Sequence, residues 1–149
     1  MSSSYIKSPF LLLIILFINI LNLKNVVASS FHVQVVNNID PTRFPFNSIK
    51  LHCASKDNDM GFHDITPNNQ FEWTFKEGYF SNTLFFCHFW WGLKERAFEV
   101  FNVFHGCIKN APLNPDTRLC KWTITDIGFF LEDDKGKKYI AYAWEPLKK

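Results

Sequence analysis

Beyond its first thirty residues this chain is written in a period of two. FHVQVVN sets Phe31, Val33 and Val35 against His32 and Gln34, and SIKLHCA sets Ile49, Leu51 and Cys53 against Lys50 and His52. FEWTFK repeats the pattern with Phe71, Trp73 and Phe75, and AFEVFNVF, CKWTI, GFFLED and KKYIAYAW continue it. TLFFCHFWW belongs with them but is apolar at nearly every position. Alternation at this period places one row of side chains in a core and the other in water. No longer window in the same region holds a clean helical period. Short runs separated by turn-forming stretches predict an all-β fold, an antiparallel sandwich or barrel of about eight strands. EDDKGKK and GLKER read as hairpin tips, with Gly136 supplying the first with a residue that tolerates positive φ. The longer connections are Asn37 to Asn47, Ser55 to Asn69 and Gly106 to Leu119.

The N-terminus is of another kind. Lys7 precedes an apolar run from Phe10 to Leu21, and small residues follow at Val26, Val27, Ala28 and Ser29. That is the order of a cleavable secretory leader. A membrane anchor needs about 20 apolar residues, and Asn19, Asn22, Lys24 and Asn25 interrupt this run. We therefore expect residues 1–28 to be a signal peptide and residues 29–149 to be one secreted, extracellular domain. The leader takes two of the 16 basic residues and none of the 14 acidic ones, which leaves the domain balanced. A balanced charge points to no nucleic-acid partner and to no membrane insertion after cleavage.

Cys53, Cys87, Cys107 and Cys120 all fall in the domain. An even count in a small secreted chain predicts two disulfides, with three connectivities open. No N-x-S/T acceptor occurs, so no N-glycan is expected.

LHCASKDNDMGFHDI, Leu51 to Ile65, gathers a cysteine, two histidines and three aspartates. It does not make a calcium loop: setting Gly61 at loop position six puts Lys56 at position one and Pro67 at position twelve. His52, Cys53, His63, His105 and Cys107 lack zinc-ligand spacing, and oxidised thiols do not bind zinc. His32, His52, His63, His88 and His105 are scattered, and no nucleophile motif accompanies them. We expect no catalytic residues, no metal and no cofactor. The stretch reads as a loop leaving a strand, anchored by Cys53. In TLFFCHFWW one face is Phe85, Cys87, Phe89 and Trp91, which belongs in the core. The other is Leu84, Phe86, His88 and Trp90, read as covered by a neighbouring loop or else as a binding patch for a small molecule or glycan.

HCASKDNDMG (His52 to Gly61), FEWTF (Phe71 to Phe75), TLFFCHFWW (Thr83 to Trp91) and CKW (Cys120 to Trp122) follow one another in this order. With the Val33-to-Asn37 opening they resemble the plant self-incompatibility protein family, the S-protein homologues. The resemblance implies a small secreted β-sandwich stapled by disulfides. It also implies a signalling ligand read by a cell-surface membrane receptor, as pistil determinants are read by pollen. HCxSKDxDxG would then be shared scaffold, and recognition would lie in charged outer loops. The candidates are Lys94, Glu95 and Arg96; Lys109, Asp116 and Arg118; and Glu132, Asp133, Asp134, Lys135, Lys137 and Lys138. A monomer is expected, and a cell-wall-space enzyme or a glycan-binding module is the alternative. Cys53, Cys87 and Cys120 sit at inward positions, and the expected pairing is Cys53 with Cys120 and Cys87 with Cys107.

Overall fold

The computed structural model describes residues 9–23, 29–77, 82–104, 107, 117–133 and 135–148. A helix, α1 (Pro9–Leu23), lies in the predicted leader. Among the described residues no helix is long and apolar enough to cross a membrane. The strands are β1 (Ser29–Asn37), β2 (Ile49–Ala54), β3 (Asp59–Ile65), β4 (Gln70–Glu77), β5 (Leu84–Trp91), β6 (Lys94–Asn102), β7 (Leu119–Ile124), β8 (Gly128–Glu132), β9 (Lys138–Ala143) and β10 (Glu145–Pro146). They form two five-stranded sheets, β4-β1-β7-β8-β9 and β10-β6-β5-β2-β3. Every pairing is antiparallel except β1 with β7, which is parallel because the chain crosses between sheets before β7.

The alternating residues do what the period requires. Val33, Val35, Ile49, Leu51, Phe89, Val100, Trp122, Phe129 and Leu131 are at most 1 % exposed and fill the space between the sheets. Phe98 sits at the centre of this layer, with ring centroids 4.9 Å from Trp122, 5.1 Å from Phe129 and 5.3 Å from Phe89. Burying each such side chain contributes about 1.5–3 kcal/mol. The Trp122 indole N–H donates to the carbonyl of Val100 at 3.1 Å and so ties the two sheets together.

Two strands lie outside the eight expected. β10 is a two-residue strand on the edge of β6. β3 runs through the stretch read as a loop from Ser55 to Asn69. It is an edge strand, and it shows no clean alternation because its pairing with β2 shifts register between His52 and Ala54. Gly61 supplies the φ of 75° at this irregularity, a left-handed value that costs other residues energy. HCASKDNDMG is therefore a hairpin. The Ser55 N–H donates to Asn58 O at 2.8 Å, and the Asn58 N–H donates to Ser55 Oγ at 3.1 Å.

The expected cysteine pairing is wrong. The disulfides are Cys53–Cys87 and Cys107–Cys120. Cys53 and Cys87 do face inward, but they stand directly opposite each other on β2 and β5, with Cα atoms 4.1 Å apart. Closest approach of neighbouring strands is where two side chains of one face meet, so this bridge forms within a sheet. Cys120 on β7 is met by Cys107, which precedes it on the crossover from β6.

Candidate functional site

The loop candidates separate into two ends of the sandwich. Lys121 pairs with Glu132 across β7 and β8, so the turn at 133–137 lies at the end where β7 begins, beside Arg118. Lys94 begins β6 at the opposite end, beside the 125–127 turn, and its Nζ lies 3.5 Å from the carbonyl of Asp126. Lys109, Asp116 and Asp134 lie outside the described residues.

Lys94, Glu95 and Arg96 are not a loop but the first residues of β6, and this corrects the expectation. Gly92 and Leu93 make the hairpin tip alone, with Gly92 at a φ of 57°. Glu95 is only 8 % exposed. Its Oε2 is 2.7 Å from His88 Nε2, and its Oε1 accepts the Lys148 N–H at 2.8 Å. The Lys148 amide, then His88, hold its carboxyl below the ordinary glutamate value against an opposing burial effect. Arg96 turns onto the Tyr142 ring, 5.1 Å from its centroid, and pairs with Glu145.

At the other end the acids are used internally. Glu132 receives Lys121 at 2.9 Å, with Lys138 at 4.0 Å. Asp133 Oδ1 accepts the N–H groups of Lys137 at 2.8 Å and Lys135 at 2.9 Å, and the Tyr139 hydroxyl donates to Oδ2 at 3.2 Å. Gly136, at a φ of 78°, closes the turn. Among the described candidate residues, the charged side chains exposed at that end are Arg118, Lys135, Lys137 and Lys138. The bond from the Lys137 amide, with those from Lys135 and Tyr139, lowers the Asp133 pKa. A depressed carboxyl stabilises the fold above its unfolded value, and that contribution is lost as pH falls through the folded one. We expect the amide shifts of Lys135 and Lys137 to titrate together in NMR, with a midpoint below the ordinary aspartate value of about 3.9. A midpoint at or above that value would show that Asp133 does not hold the turn.

Strand register brings residues far apart in the chain together on the outer face of β6-β5-β2-β3. Cross-strand registers place twelve residues in three rows of four. The rows are Glu95–Trp90–Lys50–Asp64, Ala97–His88–His52–Phe62 and Glu99–Phe86–Ala54–Asp59. Among the described residues no loop covers the face of Phe86, His88 and Trp90. Phe62 is 63 % exposed and Phe86 44 %. Phe62 stacks on His52 at 4.6 Å, and His88 on Trp90 at 3.8 Å. His52 Nε2 is 2.6 Å from Asp59 Oδ1, which also accepts the Gly61 N–H at 2.8 Å. Those two contacts, the amide first, keep Asp59 below its ordinary value.

The recorded partners of His32, His52 and His88 are carboxylates, and that of His63 is the carbonyl of Met60. Each pair orients an imidazole, but none presents it to a hydroxyl or thiol nucleophile. Among the described residues no group of three or more histidine, cysteine or carboxylate side chains could hold a metal ion.

The family model for plant self-incompatibility protein S1 matches residues 32–144. S-protein homolog 24 of Arabidopsis thaliana is 30 % identical over 99 residues, covering 63 % of this chain and 59 % of its own length. S-protein homolog 29 of the same plant is 35 % identical over 113 residues, covering 75 % and 76 %. Self-incompatibility protein S1 of Papaver rhoeas is 31 % identical over 98 residues, covering 64 % and 66 %. The first relatives, S-protein homologs 24, 3 and 2, are thus spanned over only 59 %, 63 % and 60 % of their length. No solved structure matches the chain.

Proposed function

We propose that this chain, which belongs to the plant self-incompatibility protein S1 family, is a secreted signalling ligand for a cell-surface receptor protein. The observation that carries this reading is the family match over residues 32–144, which spans the sandwich from β1 to the end of β9. Secretion is supported by the N-terminal apolar run ahead of β1 and by cysteines that are all paired. Oxidised thiols persist outside the cytosol. The leader would be residues 1–28, and protein collected from a culture medium should begin at Ser29. The ligand works by binding, and its recognition surface is the basic end formed by Arg118, Lys135, Lys137 and Lys138, with Lys109 and Asp116 on the adjoining crossover. Of the candidate acids there, Glu132 and Asp133 serve the scaffold, and Asp134 lies outside the described residues.

The test is binding of the labelled, oxidised protein to intact plant cells with cytosolic calcium recorded alongside. Saturable binding and a calcium rise are expected. Exposed charges govern association rate, so reversing Arg118, Lys135, Lys137 and Lys138 to glutamate should slow association by about tenfold or more at low salt. Absence of saturable binding on every cell type, with both disulfides verified, would end the ligand reading.

A further inference from the structure

Apolar side chains gather at the end of the sandwich opposite Arg118 and Lys135. Four segments meet there: the connection from β1 into β2, the tip between β5 and β6, the turn between β7 and β8, and the chain from the end of β9 through β10. Hydrogen bonds tie them into one surface. The Trp91 indole N–H donates to Phe46 O at 2.6 Å, the Leu147 N–H to Leu93 O at 2.9 Å, and the Trp144 indole N–H to Thr125 O at 2.7 Å. Each segment nevertheless turns an apolar side chain outward: Phe46 is 81 % exposed, Leu93 82 %, Ile127 60 % and Leu147 43 %. Leu93 and Ile127, with Trp144 and Pro146, line an open cleft of about 550 Å³. Exposed apolar residues scattered singly are ordinary, whereas a contiguous group marks an interaction site.

From this group we infer that the chain docks peripherally, by this end, on a lipid bilayer that bears anionic headgroups. Shape is the first reason. Leu93 and Ile127 stand on the tips of turns and project beyond the strands. The acyl boundary of a bilayer accepts apolar protrusions of any outline, while a protein partner must supply a pocket matched to each. Charge is the second reason. The exposed charged side chains of these four segments are Arg43, Lys94 and Lys148, all basic. Their acids, Asp40, Asp126 and Glu145, are half-buried; Asp40 accepts from Thr42, and Glu145 is paired with Arg96. The guanidinium of Arg43 lies 5.4 Å from the Phe44 ring centroid, and Lys94 Nζ lies 4.8 Å from that of Trp91. Those contacts hold both cations beside the apolar tips, where headgroup phosphates would meet them.

The balanced charge of the domain as a whole does not oppose this, because the field that a headgroup meets is local and falls off within about 10 Å. A second copy of this chain docked here about a twofold axis would set the same cations against one another. The contact is interfacial: turns reach the acyl boundary and no strand crosses it. Docked in this way, the chain holds its Arg118 and Lys135 end away from the lipid. The inference stands without the receptor reading, since lipid binding needs no receptor.

The probes are unilamellar vesicles of phosphatidylcholine with about one-third phosphatidylserine, and of phosphatidylcholine alone. The protein is collected from a culture medium and its N-terminus determined, because a retained apolar run from Phe10 to Leu21 would itself partition into lipid. Binding is read by co-flotation and by tryptophan emission. We expect saturable binding to the anionic vesicles with a blue shift in emission, and weaker binding to the neutral ones. Leu93→Ser, Ile127→Ser should lose about tenfold or more in partitioning to both. Phe62→Ser, Ile140→Ser removes apolar side chains that are 63 % and 60 % exposed on β3 and β9, away from this end, and should stay within about twofold. Arg43→Gln, Lys94→Gln, Lys148→Gln should lose about tenfold on anionic vesicles and little on neutral ones, while Arg118→Gln, Lys135→Gln, Lys137→Gln, with the same change in net charge, should stay within about twofold on both. Unchanged near-UV circular dichroism would confirm that each variant is folded. No binding to either vesicle, or equal losses at the two ends, would overturn the proposal. Leu93-dependent binding of anilinonaphthalene sulfonate without vesicle binding would overturn it as well, and would mark the end as a surface for an apolar protein segment.

Discussion

Replacing Asn37 by aspartate is expected to destabilise the fold by about 3–5 kcal/mol, from the loss of two hydrogen bonds to a half-buried and a buried carbonyl at roughly 1–3 kcal/mol each and a carboxylate brought against them. Asn37 ends β1 and has no exposed surface. Its Nδ2 donates to Asn47 O and to Ile65 O, each at 2.7 Å, and its Oδ1 accepts the Ile39 N–H at 3.0 Å. Its backbone adds two more bonds, its N–H to Asn69 O at 3.0 Å and its O from the Asn68 N–H at 2.8 Å. One residue thus joins the end of β1, the connection into β2, the end of β3 and the turn into β4. Aspartate has the same shape but cannot donate. Urea denaturation with an unchanged m-value would isolate the effect. A loss below about 1 kcal/mol would mean that water or a rearranged turn replaces both bonds.

The second large effect concerns the disulfides. Changing Cys53 and Cys87 together to alanine should cost about 4 kcal/mol by the chain-entropy model, and the Cys107–Cys120 equivalent about 3 kcal/mol, since its loop is shorter. The sequence separations are 34 and 13 residues. Non-reducing peptide mapping should recover Cys53 joined to Cys87 and Cys107 joined to Cys120. The difference between the two losses depends only weakly on strain if loop closure dominates. Equal stability of the Cys53/Cys87 variant and the parent would show that the two opposed residues pack as well without the bond.

The inward direction of each cysteine could be read locally, but its partner could not. Side-chain direction follows from a period of two within one strand. Partnership depends on which strand lies alongside and in what register, and that is decided by contacts distant in the chain. Cys53 faces Cys87 because β2 lies beside β5 with Leu51 opposite Phe89. The same limit hid β3. Its hydrophobic residues do not alternate cleanly, since an irregularity at Gly61 turns the strand partway along its edge. Glu95 likewise looked like an exposed charge beside a turn. It is buried because the C-terminal segment crosses back over β6 and donates an amide to it.

By itself the sequence determined that this chain is built of short strands, which residues of the alternating strands face inward, that chain reversals fall at Gly92 and Gly136, and the family to which it belongs. These are properties of side-chain periodicity and turn chemistry, which neighbouring residues carry. Tertiary structure alone decided how the cysteines pair, how Asn37 gathers four segments, and how exposed apolar side chains from separate turns come together at one end of the sandwich. Each of those requires residues far apart in the chain to meet in one register. The free energy that selects the register belongs to the packed core as a whole.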